Sequence, residues 1–225
     1  MAEEDLSRRA LFVSVEGLEG SGKSSVIRYL ERYFQEQKRQ VAVFREPGST
    51  RIGERIREIL LDPENREISP STELLLYLAA RTQLIDEKLR PALDEYDVVI
   101  CDRFFDSTLA YQGYALGLRE QAREGVRIFS LGMVPDITLL LDSGVEEGLA
   151  RIPQKDRIES RSYQYHCKLR EGYLLLARQH PDRIKVIDAR GALEVIYPRV
   201  KDALEDFFLR RKKTGKCHDA TDSAN

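Results

Sequence analysis

Residues 11–30 read LFVSVEGLEGSGKSSVIRYL, and this stretch contains the most informative motif of the chain. Its first part, residues 11–15, is an apolar run that predicts a buried strand. Residues 17–24 match the pattern G-x-x-x-x-G-K-[ST] without a gap, and helical spacing follows over residues 23–39. In a strand, glycine-rich loop and helix in this order, backbone N–H groups and the positive helix N-terminus bind phosphate. The stretch therefore predicts a nucleotide-binding α/β domain.

The loop and the first helical turn supply the candidate ATP-binding residues, which are Gly17, Leu18, Glu19, Gly20, Ser21, Gly22, Lys23, Ser24 and Ser25. Lys23 is expected to reach the β- and γ-phosphates, and the Ser24 hydroxyl is expected to ligate Mg²⁺. An accidental match is the alternative, but chance supplies this pattern in under about 1% of chains of this length. The chain has no Asn-Lys-x-Asp motif for reading guanine. A small-molecule kinase is therefore favoured over a regulatory GTPase.

The remaining apolar runs alternate with amphipathic stretches. We expect further strands over residues 41–45, 97–101, 137–141 and 183–187, and helices over residues 52–61, 71–89, 163–179 and 193–210. Ser71 or Thr72 is expected to cap the helix over residues 71–89. The fold class predicted is α/β, a three-layer P-loop kinase with a central parallel sheet of about five strands flanked by helices. A single domain is expected over residues 1–210, with a lid at about residues 150–158 and a flexible polar tail over residues 211–225.

Composition excludes several functional classes. The 225 residues carry 36 basic and 38 acidic side chains, a net charge of −2, so a global basic field for nucleic acid is absent. No stretch approaches the ~20 apolar residues of a membrane helix, and no secretory signal is visible. The three cysteines contain no CxxC pair, which favours a reducing compartment over a disulfide framework or zinc site. A cytoplasmic enzyme without nucleic acid or membrane partners is expected.

Charged side chains follow the second and third predicted strands. Arg45 begins the segment REPG, and Asp102 and Arg103 begin the segment DRFFDSTLAYQG over residues 102–113. Because ligands bind beyond the carboxyl ends of parallel strands, both arginines should face one crevice, where their guanidinium groups can bind a monophosphate. A surface ion pair is the alternative for either arginine. Asp102 is placed to hold the Mg²⁺ hydration shell or, alternatively, to cap the next helix.

Together with GLEGSGKS and the helical segment YLAAR over residues 77–81, these elements resemble the bacterial thymidylate kinases. The resemblance extends from about residue 11 to residue 208. It implies Mg²⁺-dependent phosphorylation of dTMP to dTDP by ATP, and a homodimer. A kinase for another monophosphate such as dUMP, and a non-catalytic nucleotide-binding module, are the alternatives.

The predicted dTMP-binding residues are Glu19, Arg45, Glu46, Arg57, Tyr77, Arg81, Arg103, Thr108, Tyr111 and Gln112. The resemblance assigns Arg45 and Arg103 to the acceptor phosphate and Glu19 to the 3′-hydroxyl of the sugar. Tyr111 would crowd the 2′ position and favour deoxyribose. Glu46 would either fix an arginine or accept a hydrogen bond near the site.

The base is expected to lie between two helix faces. Tyr77 and Arg81 are four residues apart and share one face. The resemblance implies that Tyr77, usually Phe in the family, stacks on thymine and that Arg81 binds a base carbonyl. Thr108 and Gln112 share a second face with donors and acceptors suited to a pyrimidine edge. Arg57 matches a family arginine near the base, with a solvated helix charge as the alternative.

The lid candidates are Arg151, Lys155 and Arg157. Family members with a plain glycine at the Gly20 position usually supply the catalytic arginine from the lid, so this lid should supply a cation. Arg151 is the best candidate, and Arg157 could instead pair with Glu159. The predicted catalytic set is therefore Lys23, Arg103, Arg151 and Asp102, with Ser24 and Asp102 as magnesium ligands, partly through water.

Overall fold

The computed structural model describes the backbone of residues 10–218 and the side chains of residues 10–211. In this part of the chain one five-stranded sheet has the order β2-β3-β1-β4-β5, and every neighbouring pair is parallel. The strands are β1 (Leu11–Gly17), β2 (Val41–Arg45), β3 (Val98–Asp102), β4 (Ile137–Asp142) and β5 (Ile184–Asp188). The predicted fold class is confirmed, and each expected strand is present within two residues of its predicted bounds.

Helices connect the strands and cover both faces of the sheet. They are α1 (Lys23–Glu36), α2 (Arg51–Leu61), α3 (Pro70–Leu84), α4 (Arg90–Glu95), α5 (Phe105–Thr108), α6 (Arg119–Phe129), α7 (Val145–Ala150), α8 (Tyr163–Gln179) and α9 (Leu193–His218). Two π-helical segments, Ile85–Leu89 and Leu109–Ala115, continue α3 and α5. The expected helix over residues 71–89 is therefore an α-helix that changes to π geometry near its end.

The alternation of side chains along β1 divides the core into two layers. Val13 and Val15 are fully buried and belong to the cluster that contains α1 and α9, including Phe34 and Leu204. Phe12 points to the opposite face and packs with the end of α3 and its π-helical continuation. Because both faces are covered, the central strands β1, β3 and β4 are buried along almost their whole length, whereas the edge strands β2 and β5 are partly exposed.

Two sequence predictions about helix ends differ from the structure. Ser71 and Thr72 do not cap α3, because the cap is Ser69, whose hydroxyl accepts from the Thr72 backbone N–H at 3.2 Å. Pro70 explains this difference, since proline lacks an N–H and favours the first helical position. The last helix does not end at residue 210 but continues to His218, into the segment expected to be a tail. Residues 219–225 of the predicted tail lie outside the described residues.

The carboxyl ends of β1, β2 and β3 lie side by side in the register of the sheet, with Val15 and Arg45 both opposite Asp102. The segment between α7 and α8, which contains the predicted lid, is non-helical. Over residues 10–218, no helix combines the length and the apolar character needed to cross a membrane.

Candidate active site

The glycine-rich loop connects the end of β1 to the start of α1. Gly20 and Gly22 have φ angles of 70° and 93°, in the left-handed region that favours glycine. A Cβ atom on Gly20 would lie 2.0 Å from the carbonyl oxygen of Gly148 in α7, so only glycine fits at this position. The loop therefore packs directly on the helix that leads into the lid.

Lys23 closes the loop. Its Nζ donates to the carbonyl oxygens of Leu18 at 2.8 Å and Gly17 at 3.3 Å. Burial lowers the pKa of the Lys23 ammonium to about 8, and the positive charge of Arg103 contributes to this lowering. A lysine held between carbonyl oxygens in a positive environment is ready to exchange these contacts for phosphate oxygens.

A cavity of about 270 Å³ opens beside this loop, at the carboxyl ends of β1, β2 and β3. The predicted site residues that line it are Glu19, Gly20, Lys23, Ser24, Arg45, Glu46, Arg57, Tyr77, Arg81, Asp102, Arg103, Thr108, Tyr111 and Gln112. It is also lined by residues that the sequence did not suggest, namely Pro47, Leu61, Phe104, Ser107, Asp156, Ile158 and Glu159. The structure thus brings the phosphate loop, both strand-end arginines and both predicted base-binding helix faces to one cavity.

Arg103 lines the cavity and has a backbone φ of 70°. Its Nη1 donates to the Gly17 carbonyl at 2.9 Å and the Tyr173 hydroxyl at 3.1 Å, and its Nη2 donates to Glu19 at 2.9 Å. A non-glycine residue with this backbone conformation is uncommon and costs roughly 1–2 kcal/mol. The four partner groups of the guanidinium, which include Ser107, hold the side chain in one orientation.

The Glu19 side chain is bonded to Arg103 and Tyr111. Its Oε1 accepts from both side chains, whereas its Oε2 is buried and has no hydrogen-bond partner among the described residues. Burial raises the pKa of Glu19, but the charges of Arg103 and Lys23 outweigh burial and leave the pKa lowered. An ionised carboxylate with one buried, unpartnered oxygen therefore forms part of the cavity wall.

Glu16 contacts the residues that surround Arg103. It was not among the site residues predicted from the sequence. The buried carboxylate accepts from the Phe104 backbone N–H at 2.7 Å, from Ser107 at 2.6 Å and from Tyr173 at 2.9 Å. Burial raises its pKa. A charged residue inside the apolar run VSVEG was the one available signal, and its partner Tyr173 is 157 residues away in the sequence.

Arg81 forms the inner wall of the cavity. It is 1% exposed, forms an ion pair with Glu46 and donates to the Thr108 hydroxyl at 2.7 Å. Its Nε and Nη1 atoms are buried without hydrogen-bond partners among the described residues. Glu46 thus contacts an arginine, which is one of the two roles predicted for it. Burial raises the pKa of Glu46 to about 7, although the positive charge of Arg81 acts in the opposite direction. Free guanidinium donors on a buried wall can bind an acceptor on a ligand.

Arg45 and Arg57 lie at the outer rim. Arg45 pairs with Glu54 at 2.9 Å and is 47% exposed, so the surface ion pair considered as the alternative is present. Arg57 donates to the Pro47 carbonyl at 3.2 Å. Burial lowers the pKa of Arg57, and the positive charge of Arg45 lowers it further. Two arginines and the Glu54 carboxylate therefore leave this rim with one net positive charge, which favours an anion.

Comparisons with known proteins agree with this geometry. A family model described as thymidylate kinase matches residues 15–199. This chain belongs to the thymidylate kinase family. It is 45% identical over 205 residues to a thymidylate kinase of Symbiobacterium thermophilum, covering 90% of this chain and 96% of the relative. It is 43% identical over 207 residues to that of Caldanaerobacter subterraneus subsp. tengcongensis, covering 91% and 99%. The crystal structure of thymidylate kinase from Ehrlichia chaffeensis superposes with a TM-score of 0.69 at 27% identity, covering 88% of this chain and 99% of that one.

In this thymidylate kinase family member, two oxygen-bearing side chains are placed to hold a divalent cation. Asp102 Oδ1 is buried without a hydrogen-bond partner among the described residues, and the exposed Ser24 lines the same cavity. A carboxylate and a hydroxyl are hard oxygen ligands, which Mg²⁺ takes together with waters and substrate phosphates. The residues present therefore fit a magnesium ion that is only partly ligated by protein.

The three predicted lid cations of this family member have different surroundings. Arg151 is exposed and donates to the carbonyl oxygen of Gly20 at 3.2 Å, and Lys155 is also exposed. Arg157 is 8% exposed and donates to the carbonyl oxygen of Leu60 at 2.6 Å and to Glu73 at 2.7 Å.

Arg157 therefore does not form the pair with Glu159 that the sequence left open; Glu159 instead accepts from the Asp156 backbone N–H at 3.0 Å. Arg157 therefore ties the predicted lid segment to Leu60 and Glu73, whereas Arg151 lies beside the phosphate loop.

Proposed function

We propose that this chain transfers the γ-phosphoryl group of ATP to dTMP and releases ADP and dTDP. The observation that most strongly supports this reaction is that Lys23 of the phosphate loop lines the same cavity as Arg81 and Gln112. The cavity therefore contains a site for the phosphates of ATP and a wall that can recognise a nucleobase. Two substrates bound in this cavity would lie within reach of each other. Membership of the thymidylate kinase family supports the same reaction.

The acceptor phosphate would bind between Arg45 and Arg103, and Arg57 would lie near the base. Two polyanions repel each other, so their approach needs cations that neutralise charge at the point of transfer. Arg103 is held by Glu19 and the Gly17 carbonyl, which orients its guanidinium before the substrate binds. Pre-orientation of this kind lowers the reorganisation needed in the transition state. The charged rim favours a nucleoside monophosphate over an uncharged nucleoside.

The sugar would lie against Glu19 and Tyr111. The unpartnered Glu19 Oε2 is an acceptor for a 3′-hydroxyl, and the Tyr111 hydroxyl is already bonded to Glu19 Oε1. The Tyr111 side chain is 5% exposed and lies where a ribose 2′-hydroxyl would need room. Deoxyribose is therefore the sugar that fits.

No covalent enzyme intermediate is needed, because the chain supplies positioning and charge stabilisation. Mg²⁺, held by Ser24 and Asp102 partly through water, would neutralise charge on the donor phosphates. Arg151 would supply the lid cation, since its guanidinium already reaches the phosphate loop at Gly20. We further propose that the enzyme acts in the cytoplasm as a homodimer, as the family resemblance implies.

A coupled assay of ADP release across dTMP, dUMP, dCMP, AMP and thymidine tests this proposal. We expect dTMP to have the highest kcat/KM and thymidine to be inactive, since thymidine cannot use the rim arginines. Faster turnover of dUMP than of dTMP would assign the enzyme to another acceptor. Nucleotide binding without turnover of any acceptor would indicate a non-catalytic module. Lys23→Met, which removes the loop cation, is expected to lose turnover by orders of magnitude.

A further inference from the structure

Glu73 is a fully buried carboxylate in the first turn of α3, and it has three side-chain donors. Its Oε1 accepts from Gln112 Nε2 at 3.0 Å. Its Oε2 accepts from Arg157 Nη2 at 2.7 Å and from Arg161 Nη2 at 2.6 Å. The side chain of Glu73 is 0% exposed. One residue thus joins the cavity wall to both ends of residues 157–161, the segment that we call the lid base.

The chemistry of these partners fixes the orientation of the Gln112 amide. A carboxylate only accepts hydrogen bonds, so the NH₂ group of Gln112 must face Glu73. The amide oxygen then lies on the other side of the amide group. Gln112 is 1% exposed and lines the cavity, so its partner Glu73, rather than bulk water, sets the orientation of its amide.

We propose that Glu73 is a specificity-determining positioning residue that makes Gln112 present an acceptor to the base and thereby excludes cytosine nucleotides. Thymine offers a donor at N3–H beside an acceptor at O4. Cytosine offers an acceptor at N3 beside a donor amino group at C4. The unpartnered Nη1 and Nε donors of Arg81 match O4, and the acceptor oxygen of Gln112 matches N3–H. This inference rests on the proposed function, because it assumes a pyrimidine base on this wall.

The same carboxylate links base recognition to the lid. Arg157 and Arg161 bracket residues that line the cavity, including Ile158 and Glu159. Arg157 is also bonded at its backbone N–H to the Leu61 carbonyl at 3.1 Å. The anchors on Glu73 therefore hold the lid base against the cavity, beside the amide that reads the base.

Glu73→Gln changes the polarity at this point almost without changing shape. Arginine side chains are donors only, so Arg157 and Arg161 would take the single carbonyl oxygen of the substituted side chain. The NH₂ group of that side chain would then face Gln112, which must turn its own oxygen towards it. The Gln112 NH₂ group would point into the cavity, towards the N3–H of thymine. Two donors would then oppose each other, and cytosine N3 would gain a partner.

The test measures kcat/KM for dTMP and for dCMP in the wild type and in three variants. We expect Glu73→Gln to lower the dTMP to dCMP ratio by about tenfold or more, because a buried hydrogen bond is lost for one base and gained for the other. Glu73→Asp keeps an acceptor-only group and is expected to hold the ratio within about threefold, although its shorter side chain disturbs the anchors more. Arg161→Met removes one lid anchor and leaves the contact between Glu73 and Gln112, so its ratio is also expected to stay within about threefold.

A purely structural role predicts the reverse order, with the isosteric Glu73→Gln milder than Glu73→Asp. An unchanged ratio in folded Glu73→Gln, or an equal loss in Glu73→Asp, overturns the inference. Should Glu73→Gln not fold, the ratios of Glu73→Asp and Arg161→Met decide, since a collapse in either overturns it. Wild-type activity separates the two proposals. No dTMP turnover by the wild type refutes the proposed function, whereas turnover with an unaltered ratio in Glu73→Gln refutes only the role of Glu73.

Discussion

Arg151 and Arg157 lie in the same short segment, and the structure predicts opposite consequences when each is replaced. Arg151→Met removes an exposed side chain whose hydrogen bond goes to the Gly20 carbonyl at 3.2 Å. Arg157→Met removes an 8% exposed side chain with bonds to Leu60 and to the buried Glu73. One substitution should therefore affect catalysis and the other stability.

The magnitudes follow from these contacts. Hydrogen bonds to charged groups contribute roughly 1.5–3 kcal/mol each, and Glu73 keeps Arg161 at 2.6 Å when Arg157 is lost, so it is not left uncompensated. We expect Arg157→Met to lower the free energy of unfolding by about 2–3 kcal/mol, which is about 4–12 °C in Tm for a chain of this size. Arg151→Met should change stability by less than about 0.5 kcal/mol.

The catalytic effects should have the opposite order. A transition-state cation contributes at least about 10²-fold to kcat, so Arg151→Met is expected to lose that much at saturating substrates. Arg157→Met should lose less, since its guanidinium lies away from the cavity. Gln154→Met is the matched control from the same segment, because its exposed, uncharged side chain has no role in catalysis or anchoring and should affect neither quantity strongly.

Differential scanning calorimetry gives Tm, and the coupled ADP assay gives kcat. A stable Arg157→Met variant with kcat reduced about 10²-fold, beside an Arg151→Met variant with normal kcat, would refute the assignment of the two arginines.

Three further predictions concern the phosphate loop and the metal. Because the pKa of Lys23 is lowered to about 8, the free enzyme loses the ammonium as pH rises through that value, and kcat/KM for ATP should fall about tenfold per pH unit above it. Lys23→Arg, which stays protonated, should have a flat profile in a titration of initial rates, and a flat wild-type profile would contradict the prediction. Gly20→Ala places a Cβ atom 2.0 Å from the Gly148 carbonyl, so the Kd for ATP by calorimetry should rise at least about tenfold; wild-type affinity would refute the close approach. Chelation of Mg²⁺ by EDTA should abolish turnover. Asp102→Asn should raise the Mg²⁺ concentration that gives the half-maximal rate. An unchanged Mg²⁺ concentration at half-maximal rate would show that Asp102 is not part of the metal site.

The sequence predicts those parts of the site that are contiguous or that follow a strand. The phosphate loop is a single run from Gly17 to Ser24, and Arg45 and Arg103 follow apolar runs that parallel strands require. Their shared edge follows from the topology of parallel sheets, so their convergence on one cavity was predictable. The identity of the acceptor, by contrast, came from family resemblance.

The supporting residues could not be predicted, because their partners are distant in sequence. Arg157 is 84 residues from Glu73 and has the same local appearance as Arg151, an arginine in a polar segment. Only the packing of the lid base against α2 and α3 distinguishes Arg157, which is largely buried there, from the exposed Arg151. The cap of α3 was assigned to the wrong residue for a local reason, since Pro70 moves the helix start to follow Ser69.

In the proposed reaction the γ-phosphoryl group of ATP passes directly to dTMP rather than to water. Phosphorus NMR of a mixture of enzyme, Mg²⁺, ATP and dTMP follows every phosphorus atom at once. Direct transfer predicts that ADP and dTDP appear in equal amounts while dTMP is consumed, without release of inorganic phosphate. ADP accompanied by inorganic phosphate, with dTMP unchanged, would contradict it.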